Sequence, residues 1–560
     1  MDTTTAWLKP PHEAGGQDHI GVQQPPTRIF TTLLPGLTVV TDRVANYSFY
    51  AWLSWAYVER GHDTALDFIH TLRRGECLLT LISERHAAQK QEPVFRHSLG
   101  LVGRNSLIPL QRPGTPRPVS FAALAALRDE NEKSYFKNRY GGLGQYYLGS
   151  LRELGILDRD DDEIACSEDV GVPLAKAYDA RVDRAKFFDV LARGVVTDGE
   201  LDALASFCPC HLAANEAERT LLVDLLFARR PDASEGDLLR RQTLLLLLDF
   251  AARRGSMGEI PLDFAFKAAC LTGAMDDGSQ WSPPASWDRV RRAWGTYEIN
   301  DELSIAALGV FWVALSILDE RGGLAAGSRE VGGWVATYAR EVLGDIAGMS
   351  FKDAIEARVG SLPALGAWTN EAHEFPRSDD VQTEARAGER AGCISASTDV
   401  LLAIAARHLK ADPYVDVGIS TDYLRDYPLN LASYGRSVRD EWAGLTVAEW
   451  LGRFAVSWGI EAHLRVALKK LHHESKDKFL VRVTDDGLRR RDDDKGPPLP
   501  GFTASRVNRA VRFLVDLGLF SLEGAAPASV GDEEDEEEAV AGISARITPY
   551  GRSILEELRG

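Results

Sequence analysis

Cysteine is scarce in this sequence, with six thiols (Cys77, Cys166, Cys208, Cys210, Cys270, Cys393) among 560 residues. They are too few for a disulfide framework, so stability must come from packed cores. Long apolar runs are also lacking. Those present, such as Leu244 to Leu248, fall well short of the ~20 residues that span a bilayer, and no membrane partner is expected. Basic charge is in deficit, with 64 Lys and Arg against 82 Asp and Glu and a net charge of −18. That excludes a surface coated with nucleic acid or held on an anionic membrane, while leaving room for one local basic site. The start, MDTTTAWLKPPHEAGGQDHIGVQQPPTR, lacks the charged-then-apolar order of a secretory signal. Its Pro, Gly and polar residues predict a disordered tail over residues 1–30. A bacterial-type cytoplasm is the expected compartment. Catalytic signatures are missing too: there is no Gly-x-x-x-x-Gly-Lys-Ser/Thr loop, no His-Glu-x-x-His and no Gly-x-Ser-x-Gly. No cofactor is expected.

What the sequence does contain is helix. With 45% hydrophobic and 26% charged residues it has an ordinary globular composition. Its length suggests several domains at roughly 100–200 residues each. From Asp42 to Gly61, a capping Thr41 or Asp42 opens a segment apolar nearly all round (Tyr47, Phe49, Tyr50, Trp52, Trp55, Tyr57), which reads as a buried core helix. Further helical patterns follow between Arg184 and Arg453. Alternating segments are few, the best being Phe479–Val483 and Ala545–Ile547. The expected fold is mainly α, with an N-terminal helical region (31–118) and a helical middle region (181–455) alternating with modules at 119–180 and 456–560.

The second of those modules holds the most informative stretch, ASRVNRAVRFLVDLGLF, from Ala504 to Phe520. At 100° per residue, Val507, Ala510, Val511, Leu514 and Val515 share one side, and Arg506, Asn508, Arg509 and Arg512 share the other. Thr503 is a plausible N-cap with Phe502 as a hydrophobic staple. Gly518 ends the helix, and ISARITPYGRSILEEL returns later as a strand and a helix. This order, over about Gly459 to Gly560, resembles the winged helix-turn-helix domains of MarR-like and PadR-like regulators. The resemblance implies that Ala504–Gly518 is a recognition helix whose outward Arg506, Asn508, Arg509 and Arg512 contact phosphates or base edges. From Glu461 to Arg512 there are thirteen Lys and Arg against eight Asp and Glu. Within that basic segment, Lys469, Lys470, Arg489, Arg490 and Arg491 are further nucleic-acid candidates.

A second copy lies in 119–180. LRELGIL (Leu151 to Leu157) matches LVDLGLF (Leu514 to Phe520) at both leucines, the glycine and the two apolar residues after it. Here Ser167 is the counterpart of Thr548, Gly171 and Pro173 come in reversed order, and Gln145, Tyr146 and Tyr147 stand where the other copy has arginines. This copy reads as a structural or protein-binding module.

Weaker constellations remain. Cys208, Cys210 and His211 lie close in sequence, but zinc wants four ligands, usually paired as Cys-x2–4-Cys. No matching second pair is visible, so unliganded thiols are expected and no metal is assigned. His408 and Lys410 with Asp416 resemble the signature of phospholipase D-like nucleases, with the aspartate one residue too far along. His472, His473 and Glu474 read as a solvated helix face, and the acidic block Asp532–Glu538 as a solvated loop in the wing. The N-terminal LLPGLTVVTDRVANYSFYAW loosely resembles uncharacterised bacterial proteins of mobile and phage-defence loci. Together these features predict a non-enzymatic DNA-binding adaptor with protein partners. The alternatives are a protein-only scaffold docking through its winged helices, and an enzyme with an unrecognised active site.

Overall fold

The computed structural model describes residues 18–559, outside 62–64, 129–130, 159–163, 255–260, 362–373, 411–428, 472–477, 492–495, 524–543 and the single positions 93, 113, 116, 133 and 504. The protein is mainly α. The helices used below are, in chain order, α1 (Gln24–Leu33), α2 (Ala45–Glu59), α3 (Ala65–Lys90), α4 (Leu148–Glu153), α5 (Gly171–Asp179), α6 (Asp288–Glu320), α7 (Ser328–Val342), α8 (Arg390–Lys410), α9 (Val447–Phe454), α10 (Glu461–Leu471), α11 (Val507–Asp516) and α12 (Pro549–Leu558). The strands are short: β1 (Val119–Ser120) pairs with β2 (Val195–Val196), and β3 (Leu324–Ala325), β4 (Val481–Thr484) and β5 (Gly487–Arg490) form a sheet in the order β3-β5-β4. A third pair joins β6 (Phe520–Glu523) to β7 (Ser544–Ile547).

The chain divides into two compact units. Of the described residues, a flanking unit combines those within 31–266, 283–287 and 505–559, and a central unit combines 18–30, 267–282 and those within 288–503. The 456–560 domain expected from sequence is therefore parted between residues 504 and 505. The 1–30 tail is corrected from residue 18 onward, because it folds into the central unit. There the buried Asp18 accepts the backbone N–H groups of Gly21 and Gln23, and Ile20, Val22 and Ile29 are buried. Polar residues and prolines hide this from composition, since Pro25 and Pro26 sit in the first turn of α1, where a missing N–H costs nothing.

In the flanking unit, α2 is the core helix that its aromatics predict, though it starts at Ala45 with no side-chain cap. Trp52 packs on Tyr178, Phe187, Phe188 and Phe207, and Tyr47 meets Tyr147 and Phe513 edge-on. Burying this many rings supplies much of the unit's apolar stabilisation. The central unit is organised on α6, 33 residues long and buried along most of its length. It belongs to the one helical stretch among the described residues (285–320) long and apolar enough to cross a membrane, and 94% of that apolar window is buried inside the protein. One of its buried carboxylates, Asp301, is fully engaged by neighbours within the unit. Asp301 accepts the N–H and hydroxyl of Thr503, each at 2.8 Å, and the hydroxyl of Tyr297 at 2.9 Å. Thr503 is thus held by a buried carboxylate instead of capping α11, whose first turn has no side-chain cap.

Candidate nucleic-acid and metal sites

The two sequence copies fold alike. Gly155 and Gly518 both take φ +70°, a left-handed end to α4 and α11 that a side chain would resist. The following Ile156 and Leu519 donate their N–H groups back to Leu151 and Leu514, both at 2.8 Å. The Ser167 hydroxyl donates to the Gly155 carbonyl and accepts from the Gly171 N–H, and Thr548 does the same between Gly518 and Gly551. A Cβ on Gly171 would lie 2.2 Å from the Ile156 carbonyl oxygen, and one on Gly551 would lie 2.3 Å from that of Leu519. In both copies, then, one hydroxyl ties the turn after the helix to the start of the next helix, and a glycine lets the backbones touch. The strand between them is a single bridge, Leu157 to Cys166, in the first copy and the β6–β7 pair in the second.

The arginine face of α11 does not open to solvent. Arg506 donates to the Leu34 carbonyl at 3.0 Å and Arg509 to the Val39 carbonyl at 2.8 Å. Arg509 and Arg512 both pair with Asp42, and their side chains, like that of Asp42, are 16% exposed. Burial pulls the Arg506 guanidinium down to about 10. One turn further on, Asp516 forms a buried pair with Arg43 at 2.8 Å, and Arg43 also donates to the carbonyls of Arg96, His97 and Leu99. The helix is covered on both sides: Val507, Ala510, Phe513 and Leu514 face the core, and the arginines clasp the segment 34–42. Arg506, Asn508, Arg509 and Arg512 are therefore corrected from an outward face to a half-buried one. In the other copy, Glu153 stands where α11 has Asp516 and accepts the Gly36 N–H at 2.7 Å. Tyr147 is buried against Asn46, while Gln145 and Tyr146 line an open cleft with Thr38 and Val40.

The remaining basic candidates lie in the central unit. Two are buried: Lys470 donates to the Asp18 carbonyl at 2.9 Å, and Arg490 lies 3.1 Å from Asp319 while donating to Leu480. Arg491 is half-buried. Lys469 and Arg489 are exposed, as are Arg465 and Arg482 beside them in sequence. In the β4–β5 hairpin, Arg482 stands directly opposite Arg489. The sheet's third strand, β3, enters between α6 and α7, and α7 crosses α9 through a backbone contact at Gly332 and Gly452.

The Cys208–Cys210 pair gains partners that spacing does not show. His86, on α3, and His97, just beyond the turn Val94–Arg96, bring their ring nitrogens to it. The four ligand atoms of His86, His97, Cys208 and Cys210 all lie within 4.8 Å of one another. His97 Nδ1 is 3.3 Å from Cys208 Sγ, His86 Nδ1 is 3.5 Å from Cys210 Sγ, and His97 Nε2 is 3.1 Å from the Glu92 carboxylate. Burial pushes the Cys208 thiol up, but contacts with Cys210, His86 and His97 outweigh it and hold it well below the ordinary range. Cys210 is raised by the hydrogen bond it makes to Cys208. His211 stacks on the His86 ring at 5.2 Å and is not in the set. His86, His97 and Glu92 carry a weak sequence signal, HAAQKQEPVFRH, in which a helix end folds two histidines back on each other.

His408 and Lys410 lie at the end of α8, whose helical backbone does not suit a strand-borne nuclease signature. Asp416, His472, His473, Glu474 and the acidic block Asp532–Glu538 fall outside the described residues. Compared with known proteins, the chain matches no family model, no curated protein and no solved structure.

Proposed function

We propose that this protein is a non-enzymatic, cytoplasmic DNA-binding adaptor that also engages protein partners, with its nucleic-acid contact on α10 and the β4–β5 hairpin of the central unit. The observation that carries this reading is the juxtaposition of Arg482 and Arg489. Both side chains are exposed on the same face of the hairpin, where Arg489 also lies 3.9 Å from the exposed Asp486 of the turn, and an anionic partner laid across the two arginines gains charge-assisted hydrogen bonds from both. Arg465 and Lys469, one turn apart on the exposed side of α10, extend the basic surface. Support also comes from the element order: helix, strand, helix, then after an insertion a helix and a hairpin, with the first strand pairing beside the last. That order is shared with winged helices, where the hairpin lies against the phosphate backbone.

The test is fluorescence anisotropy with a DNA duplex at low and moderate salt. Wild type should bind, and log K should fall with log salt by about 0.9 per phosphate contact. Combined Arg465→Glu, Lys469→Glu, Arg482→Glu and Arg489→Glu should abolish binding with little change in melting temperature, because exposed charges contribute little to folding. Undiminished binding by the quadruple variant would move the contact elsewhere.

A protein-only scaffold is the second reading. It is favoured by apolar exposure on the same elements, with Leu468 53%, Leu471 49% and Val483 74% exposed. Absence of salt-sensitive DNA binding by the wild-type protein would select it.

A further inference from the structure

We propose that His86, His97, Cys208 and Cys210 form a closed, structural zinc site in the flanking unit. In tetrahedral coordination, zinc sits about 2.3 Å from sulfur and about 2.0–2.1 Å from nitrogen. Adjacent sulfur and nitrogen ligands then lie roughly 3.6 Å apart by simple geometry. The observed S···N separations of 3.3 and 3.5 Å sit near that edge length. Two soft thiolates and two imidazoles are the donor set that zinc favours, and two thiolates neutralise a divalent ion, which makes the charge tolerable in a buried place. His86, His97 and Cys208 are buried and Cys210 is half-buried. All four positions are filled by protein, so no ligand position is left for substrate and the role is structural.

The surroundings are built for it. Glu92 holds His97 Nε2, leaving Nδ1 directed at Cys208, the carboxylate–histidine arrangement that orients a metal-binding imidazole. The site would join α3, the turn Val94–Arg96 and the turn Pro209–Ala214, three segments with no strand pairing among their described residues. Arg43 then connects it onward, because its guanidinium holds the carbonyls of Arg96, His97 and Leu99 while pairing with Asp516 on α11. Metal binding therefore also steadies the helix whose arginines clasp the segment 34–42.

The experiment uses the full chain, expressed with added zinc and purified under reducing conditions. Elemental analysis should find about one zinc per chain. After exchange with cobalt(II), the absorption spectrum should show the visible bands of a tetrahedral ion and a near-ultraviolet sulfur-to-cobalt charge-transfer band. Cys208→Ser and His97→Ala should each lose the metal, and His211→Ala should keep it. Glu92→Gln should retain it with about 10–100-fold weaker affinity. Should Cys208→Ser fail to fold, the cobalt spectrum of the unaltered chain still decides. Wild-type protein without stoichiometric metal after zinc loading, or a cobalt complex lacking the thiolate band, would overturn the assignment. Loss of metal from His211→Ala but not His97→Ala would overturn the ligand set.

Discussion

Replacing Asp42 with asparagine tests whether the arginines of α11 are internal struts or a solvated face. Arg509 and Arg512 both pair with Asp42, and all three side chains are only 16% exposed. At a separation of about 4 Å and an effective dielectric of about 20, each charge pair carries roughly 4 kcal/mol of attraction. Desolvation offsets much of this, and breaking a buried pair costs about 3–5 kcal/mol in measured cases. The remaining exposure and the acceptor oxygen that asparagine keeps bring the expectation to about 2–3 kcal/mol. For a unit of this size, that lowers the melting temperature by about 4–8 °C. The assay is thermal unfolding followed by circular dichroism at neutral pH, at low salt and again at high salt. Because water is largely excluded from the pair, the difference should persist at high salt, where exposed pairs are screened. A coupling energy from the Asp42→Asn, Arg512→Ala cycle isolates the pairwise part. A shift below about 2 °C, or one that vanishes in salt, matches an exposed pair worth under about 1 kcal/mol and would refute the clasped geometry.

The buried Glu76 predicts a pH effect. Burial raises its carboxyl to about 7, against the opposing hydrogen bonds from Gly142, Tyr50 and Leu143. The unfolded chain releases that proton near 4.5 and the folded chain keeps it until about 7. Stability from this group is thus greatest below the lower value and falls by about 3 kcal/mol as pH rises through the upper one. Melting temperature from pH 5 to pH 8 should fall less steeply in Glu76→Gln than in wild type; parallel profiles would exclude this carboxyl as the cause. Gly171→Ala and Gly551→Ala should destabilise by similar amounts, about 1–3 kcal/mol or more, because each new Cβ meets a carbonyl oxygen. Tolerance at one site with damage at the other in chemical denaturation would show that the two turns are not equivalent. In the central unit, Gly452→Ala puts a methyl group 2.5 Å from the Gly332 carbonyl oxygen. It should cost a comparable amount and, by moving α9 against α7, weaken any DNA binding in the anisotropy assay.

Local signals were readable in the one-dimensional sequence because they depend on short-range physics. Helical periodicity gave α2 and α11, alternation gave β4 and β7, and the Leu-x-x-Leu-Gly pattern disclosed two copies of one turn. In those copies Ser167 and Thr548 serve as the same tie despite different loop lengths. The helix end determines this geometry: a left-handed glycine and a back-bonded N–H need only a few consecutive residues. The two cysteines at 208 and 210 were visible as well, but half of the cluster was not.

Tertiary structure decided the roles of those elements. A helical wheel places Arg506, Arg509 and Arg512 opposite the apolar face, yet an arginine's long stem and fork look the same on a wheel whether they meet water or a carbonyl. Their partners, Leu34, Val39 and Asp42, lie some 470 positions away in sequence, beyond the reach of any local pattern. The same holds for His86 and His97, which reach Cys208 and Cys210 across more than 110 residues. Periodicity and spacing determined which elements form. Long-range packing determined which charges are paired and which side chains share a site, because burial and pairing depend on neighbours that only the folded chain brings together.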